Sequence, residues 1–597
     1  MNSPANESEA PRQRRGRSVA LLLVVLAITG IALAGGVYLL RKPPTDLDGT
    51  SRNNPAAAAT GKEGAQVSLR DATDEAGINF VHTHGGSGRM YIMEAMTAGM
   101  ATFDYDGDGL IDVYFLNGAP LQGTQTPKTP PHNALYRNLG NWRFEDVTDQ
   151  AGVGIPGFGL GVAAADFDND GDTDLYVNNY GPNVLYRNNG DGTFAAVGQQ
   201  AGITDGDTVG AGACFVDIDG DGNADLYSAN YVKFSYDKHP ERVVGGFRRA
   251  PSPLDFDPEP DALFRNSGDG TFTDVSESSG IRARSGKGMG MVSGDFDNDG
   301  DSDIFVCNDV MENFYWKNDG TGKFEEIAQL VGVAYDFWGK ANGSMGSDCA
   351  DYDNDGWLDI FMTDYQAEMP ALYRNLGKGM FEDVAMKAGV GNACMPHVNW
   401  GNSFLDIDCD GDRDLFVGNG HLEPMIHSID DTTDYKLVNV LFMNVGGGQF
   451  LDISTSAGAG MNVKESTRGT CADDLDNDGD VDLAMLNQEA RPTLLKNETH
   501  HSNHWLQLRL IGTRSNRDAV GARVRVVAGD LSQIDEVHSG RSYQSHSGLR
   551  LHFGLRDKPR ADRIEVKWLG GKTETFPAAA ADQLVTLVEG TGQSAQP

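Results

Sequence analysis

Short apolar runs of three or four residues recur along this chain, each directly after an acidic, glycine-containing segment, as in Leu175-Tyr176-Val177 and Ile360-Phe361-Met362. Runs this short, bounded by turn residues and rich in β-branched and aromatic side chains, predict strands rather than helices. A second apolar pattern interleaves with the first. Leu-Tyr-Arg-Asn or a variant, a glycine-rich turn and an aromatic residue, often with Asp-Val after it, appear from Asn133, Asn183, Asp261 and Pro370, with weaker copies from Asn313 and Asn439. Two runs of β-formers across such a turn predict a hairpin. One strand after each acidic segment plus one hairpin makes a small antiparallel sheet per repeat, and repetition of that unit predicts radial stacking.

The pattern changes near His504 to strict alternation. Leu506, Leu508 and Leu510 alternate with Gln507 and Arg509; Val524 and Val526 with Arg523 and Arg525; Ile564, Val566 and Trp568 with Glu565 and Lys567. Period two marks half-buried strands and predicts a small antiparallel β domain over 503–597. At the other end of the repeats, residues 67–78 match the closing half of the hairpin pattern, and residues 492–497 match its opening half. The N-terminal strand is therefore expected to complete the last sheet, which removes two exposed edges.

The acidic segments are seven copies of Asp-x-Asp-x-Asp-Gly-x-x-Asp. They comprise Asp104, Asp106, Asp108 and Asp112; Asp166, Asp168, Asp170 and Asp174; Asp217, Asp219, Asp221 and Asp225; and Asp295, Asp297, Asp299 and Asp303. The last three are Asp351, Asp353, Asp355 and Asp359; Asp406, Asp408, Asp410 and Asp414; and Asp474, Asp476, Asp478 and Asp482. Carboxylates alternating along one tight loop can all turn inward, and converging hard oxygen donors suit Ca²⁺. Gly171 fits the sharp bend of the second copy, where a Cβ would clash. An EF-hand is excluded because the fourth acid stands at the ninth position and a strand follows directly. Stacked nonapeptide calcium repeats are excluded because the loops lie 51 to 78 residues apart. Seven loops predict up to seven Ca²⁺ and an all-β fold, a seven-bladed β-propeller over 67–502.

Charge supports this partition. Of the net −38, residues 1–42 carry +4 and 503–597 carry +3, leaving −45 on the repeats. Nucleic acid is excluded as a partner of such a surface. Arg12, Arg14, Arg15 and Arg17 precede an apolar run from Val19 to Leu40, with Arg41 and Lys42 beyond it. That length spans a bilayer as a helix, and the basic excess before it keeps the N-terminus cytoplasmic. The expected organisation is a basic cytoplasmic tail (1–17), a transmembrane signal-anchor helix (18–41), a flexible linker (42–66) and an extracytoplasmic remainder. Ala32-Leu33-Ala34 leaves open a cleaved signal peptide, and Arg14-Arg15 a poorly matched twin-arginine signal. Six cysteines occur without a Cys-x-x-Cys, and Cys394 with Cys409 is the nearest candidate pair, the alternative being small buried side chains.

No catalytic residue is assigned, since nucleophile-elbow, zincin and phosphate-loop motifs are absent. One Gly-x-Gly-x-x-Gly from Gly152 contains a proline and precedes a strand, so it is not a dinucleotide fingerprint. His82, His84 and His421 are either transition-metal or acid/base groups at a channel mouth, or turn and surface histidines. Two insertions, 232–260 and 420–438, interrupt the repeats at equivalent positions after the post-loop strand, which places them on one face. The first brings Tyr231, Phe234, Tyr236, Phe247, Arg248 and Arg249 together, a mixture suited to a binding surface, the alternative being drift in a permissive loop.

The repeats resemble FG-GAP/VCBS-type propellers, whose calcium-loop blades also occur in integrin α-chains. Val520-Gly521-Ala522-Arg523-Val524, Ser539-Gly540-Arg541-Ser542-Tyr543, Leu551-His552-Phe553-Gly554-Leu555 and Val566-Lys567-Trp568 resemble an ASPIC/UnbV domain. The combination is similar to bacterial relatives of cartilage acidic protein over about 67–595, except that Trp568-Leu569-Gly570-Gly571 replaces the usual Trp-Pro-Asp-Gly turn. The resemblance implies an exported calcium-binding propeller of adhesive or matrix type, with a protein or polysaccharide ligand at the cell surface. The alternative is an extracytoplasmic hydrolytic or biosynthetic accessory enzyme with its site in the propeller channel.

Overall fold

The computed structural model describes residues 66–594 apart from 98, 126, 204, 205 and 207. The tail, apolar segment and linker expected at 1–66 lie outside the described residues, Gln66 excepted. Among the described residues no helix is long and apolar enough to cross a membrane.

The fold is all-β with a few short helices, and it is propeller-like. Seven four-stranded antiparallel sheets carry the repeats. The second, for example, runs Phe158–Ala165, Asp174–Tyr180, Val184–Asn188 and Phe194–Ala196 in chain order. The seventh consists of Thr467–Asp473, Asp482–Asn487, Thr493–Asn497 and, from the N-terminal end, Leu69–Asp71, which pairs antiparallel with Thr493–Asn497 in the register Leu69↔Asn497. This is the completion of the last sheet expected from the two hairpin halves.

First strands of successive sheets lie against one another, and Thr467–Asp473 lies against Met100–Phe103 of the first sheet. That of the second sheet is buried along its whole length and reads as an unbroken run of small and apolar residues, Phe-Gly-Leu-Gly-Val-Ala-Ala-Ala. Close approach sets the glycines: a Cβ on Gly161 would stand 1.9 Å from the Ala211 carbonyl oxygen of the next first strand.

The C-terminal region forms two sheets. His504–Ile511 pairs with Leu551–Arg556 and Leu584–Val588; the other sheet runs Leu531–Glu536, Arg523–Ala528, Arg563–Lys567, Thr573–Phe576, Gln593–Ser594. The expected antiparallel domain needs one correction, because Leu584–Val588 pairs parallel to His504–Ile511. Four of the second sheet's five strands lie between them in sequence, which is ample chain for the crossover a parallel pair requires. The expected alternation holds except at Gln507 and Arg523, which are buried.

Between Leu531–Glu536 and Leu551–Arg556, the segment 538–546 leaves its own domain and hydrogen-bonds the first strand of every repeat sheet. His546 N donates to Met100 O (3.0 Å), Val162 N to Gln544 O (3.2 Å), Phe215 N to Ser539 Oγ (3.4 Å) and Asn402 N to Ser542 Oγ (3.1 Å). His538 Nδ1 bonds Ser293 O (2.8 Å), Ser542 N donates to Ser347 O (2.7 Å), and the Thr470 and Ser542 hydroxyls lie 2.9 Å apart. All six cysteines are buried free thiols, so Cys394 and Cys409 are not bridged and the small-buried-residue reading applies to Cys394.

Candidate metal centres and the opposite face

The first aspartate of each acidic motif follows the first strand, and the fourth is the opening residue of the second strand, so the tight turn between them draws the motif's carboxylates towards one another. In all seven loops the motif glycine donates its backbone N–H to Oδ2 of the first aspartate at 2.7–3.1 Å. Gly171 has φ +106°, outside the range open to most L-residues. Carboxylate oxygens of Asp104, Asp106 and Asp108; of Asp166, Asp168 and Asp174; of Asp217, Asp219 and Asp225; and of Asp295, Asp297 and Asp299 lie within 4.8 Å of one another. Ca²⁺ held at about 2.3–2.6 Å from each oxygen needs such a cluster.

The Leu-Tyr-Arg-Asn element completes the loops in two ways that its β-pattern does not announce. Its asparagine, buried in every sheet, donates its backbone N–H to Oδ1 of the fourth aspartate at 2.6–2.9 Å. The side-chain amide then donates to the carbonyl of the second residue in the preceding loop at 2.7–2.9 Å: Asn188 to Tyr105, Asn266 to Phe167, Asn318 to Ile218, Asn375 to Phe296, Asn444 to Tyr352 and Asn497 to Ile407. Asn138 of the first sheet donates to Leu475 of the seventh loop at 2.7 Å. The basic residue takes the outer oxygen of the second aspartate. Arg137 pairs with Asp106 (2.7 Å), Arg265 with Asp219 (2.5 Å), Arg374 with Asp353 (2.6 Å), Lys317 with Asp297 and Lys496 with Asp476.

The inner oxygens remain. Oδ1 of Asp168, Asp219, Asp297, Asp353 and Asp476 is buried with no hydrogen-bond partner, and so is Oδ1 of Asp104 and Asp295. Leaving a carboxylate oxygen buried and unpaired is costly. A hard cation at the focus of each loop satisfies these atoms, so the residues fit calcium. Without a cation, burial first, then hydrogen bonding and neighbouring charges, sets the protonation: Asp112 and Asp303 are pushed up to about 8, Asp166, Asp351 and Asp474 to about 7 and Asp217 to about 6.

These shifts fix a pH dependence. A carboxyl whose folded pKa exceeds its unfolded value near 4 keeps a proton in the folded chain that the unfolded chain has released, so stability falls as pH rises through that window. For these groups the calcium-free protein is expected to lose stability between about pH 4 and 8. A cation bound by these carboxylates would compete with those protons and remove the penalty. The difference in melting temperature between calcium-loaded and chelated protein will therefore widen as pH is raised from 5 to 8; a constant difference would mean that these carboxyls do not bind the ion.

The C-terminal domain stands on this acidic face. Gln507 Nε2 donates to Asp474 Oδ2 (2.7 Å), Lys567 Nζ to Asp295 Oδ2 (2.9 Å) and Arg550 Nη2 to Gly109 O (2.7 Å), while Asp518 Oδ2 accepts from Asp166 N (2.7 Å).

The insertions follow the second strands, whereas the acidic loops precede them, so they belong to the opposite face. They meet there: Arg249 Nε and Ala250 N both donate to Glu423 Oε1 at 3.2 Å. Together they wall a cavity of about 320 Å³ whose lining includes Met96, Met289, Met345 and Trp400. Arg242, Tyr365 and Glu368 also line it, with Tyr231, whose hydroxyl donates to Asp309 Oδ2 at 2.5 Å. Phe234 and Tyr236 pack edge-on against Tyr91 (5.6 and 5.0 Å) rather than facing solvent. Phe247 and Arg248 sit in the exposed hairpin Arg242–Val244/Phe247–Arg249.

The histidines need a correction, since His82 and His421 are buried rather than superficial. Burial, followed for His82 by His84 and for both by Arg468, pulls them to about 3 and about 4, which keeps them neutral at pH 7. They do not converge. His84 pairs with Glu489, and Glu489 N donates to His82 Nδ1 (3.2 Å), whereas His421 Nδ1 accepts from Glu423 N (2.9 Å). The buried Arg468 guanidinium, 3.9 Å from the Trp400 ring centre, contacts the His421 carbonyl.

Fold and loops thus define an all-β, propeller-like repeat protein with acidic loops between the first and second strands. The chain belongs to the FG-GAP-like repeat family, whose model matches residues 104–177, 166–228, 237–306, 295–362 and 351–417, and it carries an ASPIC and UnbV domain at 512–594. It is related to cartilage acidic protein 1: identity is 25% over 446 residues with the Xenopus tropicalis protein, covering 71% of this chain and 63% of that protein. With the Homo sapiens protein it is 26% over 450 residues, covering 71% and 62%. The chain thus spans less than two thirds of the length of these relatives. A Bacillus licheniformis rhamnogalacturonan lyase superimposes with TM-score 0.34 and 13% identity over 67% of this chain and 71% of the lyase.

Proposed function

We propose that this chain is an exported, membrane-anchored recognition protein: a seven-bladed β-propeller over 67–502, held by up to seven structural Ca²⁺, with a β domain over 503–597. Its surface for a protein or polysaccharide lies opposite the calcium loops. Seven four-stranded sheets and an asparagine hydrogen bond running from the first sheet back to the seventh loop support the ring. The observation that carries the functional reading is the 320 Å³ cavity walled by the two insertions, whose lining combines Met96, Met289, Met345 and Trp400 with Arg242, Arg249, Glu368 and Glu423. Apolar walls with a few fixed polar groups are the usual make-up of a ligand site. Recognition is favoured over a channel enzyme because segment 538–546, from the C-terminal domain, hydrogen-bonds the first strand of every sheet.

Binding of purified 43–597 to a panel of polysaccharides and envelope proteins, with calcium and with chelator, tests the reading. Saturable binding that requires calcium and is lost in the calcium-loaded Arg249→Ala/Glu423→Ala double variant is expected. Unchanged binding by that variant, once its fold is verified by circular dichroism, would remove the recognition site from this face.

A further inference from the structure

The sixth acidic loop departs from its six counterparts at two places. Its fourth residue is Cys409, where the others have Gly107, Asn169, Gly220, Asn298, Asn354 and Asn477. Cys409 has φ +57°, the left-handed conformation that glycine and asparagine adopt at least cost, so cysteine is an unfavourable choice there. It also forfeits a contact: Asn169, Asn354 and Asn477 donate their side-chain amides to the glycine carbonyl of the following loop, Gly222, Gly411 and Gly109, at 3.1, 3.1 and 2.9 Å. The Cys409 sulfur lies 3.9 Å from the corresponding Gly479 carbonyl. The second departure is Met443, which stands where the other six hairpins have Arg or Lys.

Other polar groups gather around the thiol. Asp480 Oδ1 is 4.0 Å and His552 Nε2 3.9 Å from Cys409 Sγ, and His501 Nε2 is 2.9 Å from Asp480 Oδ1. Ligand atoms of Cys409, Asp480 and His501 all fall within 4.8 Å of one another. The His501 side chain is only 9% exposed, and its Nδ1 is buried without a hydrogen-bond partner, as is Nδ1 of His552. None of these four residues belongs to the 28 aspartates assigned to calcium. They come from loop six, loop seven, the connection after the seventh sheet, and the C-terminal domain.

We propose that Cys409, Asp480, His501 and His552 form a site for a divalent transition metal of the zinc class. One thiolate, two imidazoles and one carboxylate are a borderline-soft tetrahedral donor set, chemically unlike the oxygen-only loops. Zn–S near 2.3 Å and Zn–N near 2.0 Å place tetrahedral donors about 3.4–3.6 Å apart, and the observed spacings of 2.9–4.0 Å bracket that value. Metal entry replaces the present His552 Nε2 contact with Gly479 O (2.9 Å) and releases the thiol proton. The ion would tie the C-terminal domain to loops six and seven.

Cobalt(II) serves as the probe, added to the full, calcium-saturated chain so that the oxygen loops are occupied. One equivalent is expected to bind with a thiolate-to-cobalt charge-transfer band that Zn²⁺ abolishes. Cys409→Asn, which installs the residue used by four of the other loops, should fold normally by circular dichroism and lose the band. His501→Gln and His552→Gln should each weaken binding on the order of 10-fold or more. Absence of the band from the wild-type chain, or its persistence in Cys409→Asn, would overturn the proposal. Should Cys409→Asn fail to fold, the two histidine variants decide: unaltered cobalt affinity in both overturns it.

Discussion

Chelation of calcium is expected to lower the melting temperature of this protein by roughly 15 °C or more, and to replace one cooperative transition by a broad one. Each occupied site adds about 2.7 kcal/mol when free calcium is a hundred times its dissociation constant. Seven sites at that level exceed the 5–15 kcal/mol net stability of a typical domain. The loops show why the loss should be global. The first aspartate is held by the loop glycine, the fourth by the hairpin asparagine, and that asparagine by the preceding loop. A loop that opens to relieve repulsion among its carboxylates therefore releases two sheets at once. Differential scanning calorimetry with and without chelator reads the effect. An unchanged melting temperature would mean that the Arg and Lys partners and backbone donors hold the loops unaided.

Tyr543→Ala is expected to cost about 3–5 kcal/mol, the range for deleting a large aromatic from a core. Tyr543 is fully buried, packs edge-on against Trp400 with ring centres 5.0 Å apart, and donates its hydroxyl to Met96 O at 2.7 Å. It belongs to the C-terminal domain by sequence but to the core of the repeat region by contact. Tyr543→Phe separates the two contributions: it keeps the ring and strands one carbonyl, a loss of about 1–2 kcal/mol. Equilibrium denaturation of both variants measures this. A loss below about 1 kcal/mol for Tyr543→Ala would show that the axial segment is not part of the cooperative unit.

Much of this was legible in the chain, because the repeat sheets are built from local patterns. The apolar runs after each acidic motif are second strands, the Leu-Tyr-Arg-Asn elements are hairpins, and 67–78 and 492–497 are halves of one sheet. What escaped reading depends on groups far apart in sequence. The asparagine looks like a strand terminus until its amide is seen on the preceding loop, up to 337 residues away for Asn138 and Leu475. Segment 538–546 has too few apolar residues to announce itself as core; its burial is made affordable by hydrogen bonds to seven different strands. The burial of His82 and His421 is illegible for the same reason, since irregular segments in compact folds are usually superficial, whereas both of these are buried and feel the charge of Arg468.

The pairing of Leu69–Asp71 with Thr493–Asn497 also governs how the molecule is made. Leu69 and its partner Asn497 are 428 residues apart, so the first strand among the described residues waits for the seventh sheet before it has a strand partner. At about 5–20 residues per second the wait is roughly 20–90 s. During that interval the seventh sheet does not exist, the asparagine of the first sheet has no carbonyl to bind, and the axial segment has not been made. Completion is thus postponed to the end of synthesis. A chain with this closure keeps an unpaired strand at one end and an unmade sheet at the other for as long as its C-terminal quarter is missing.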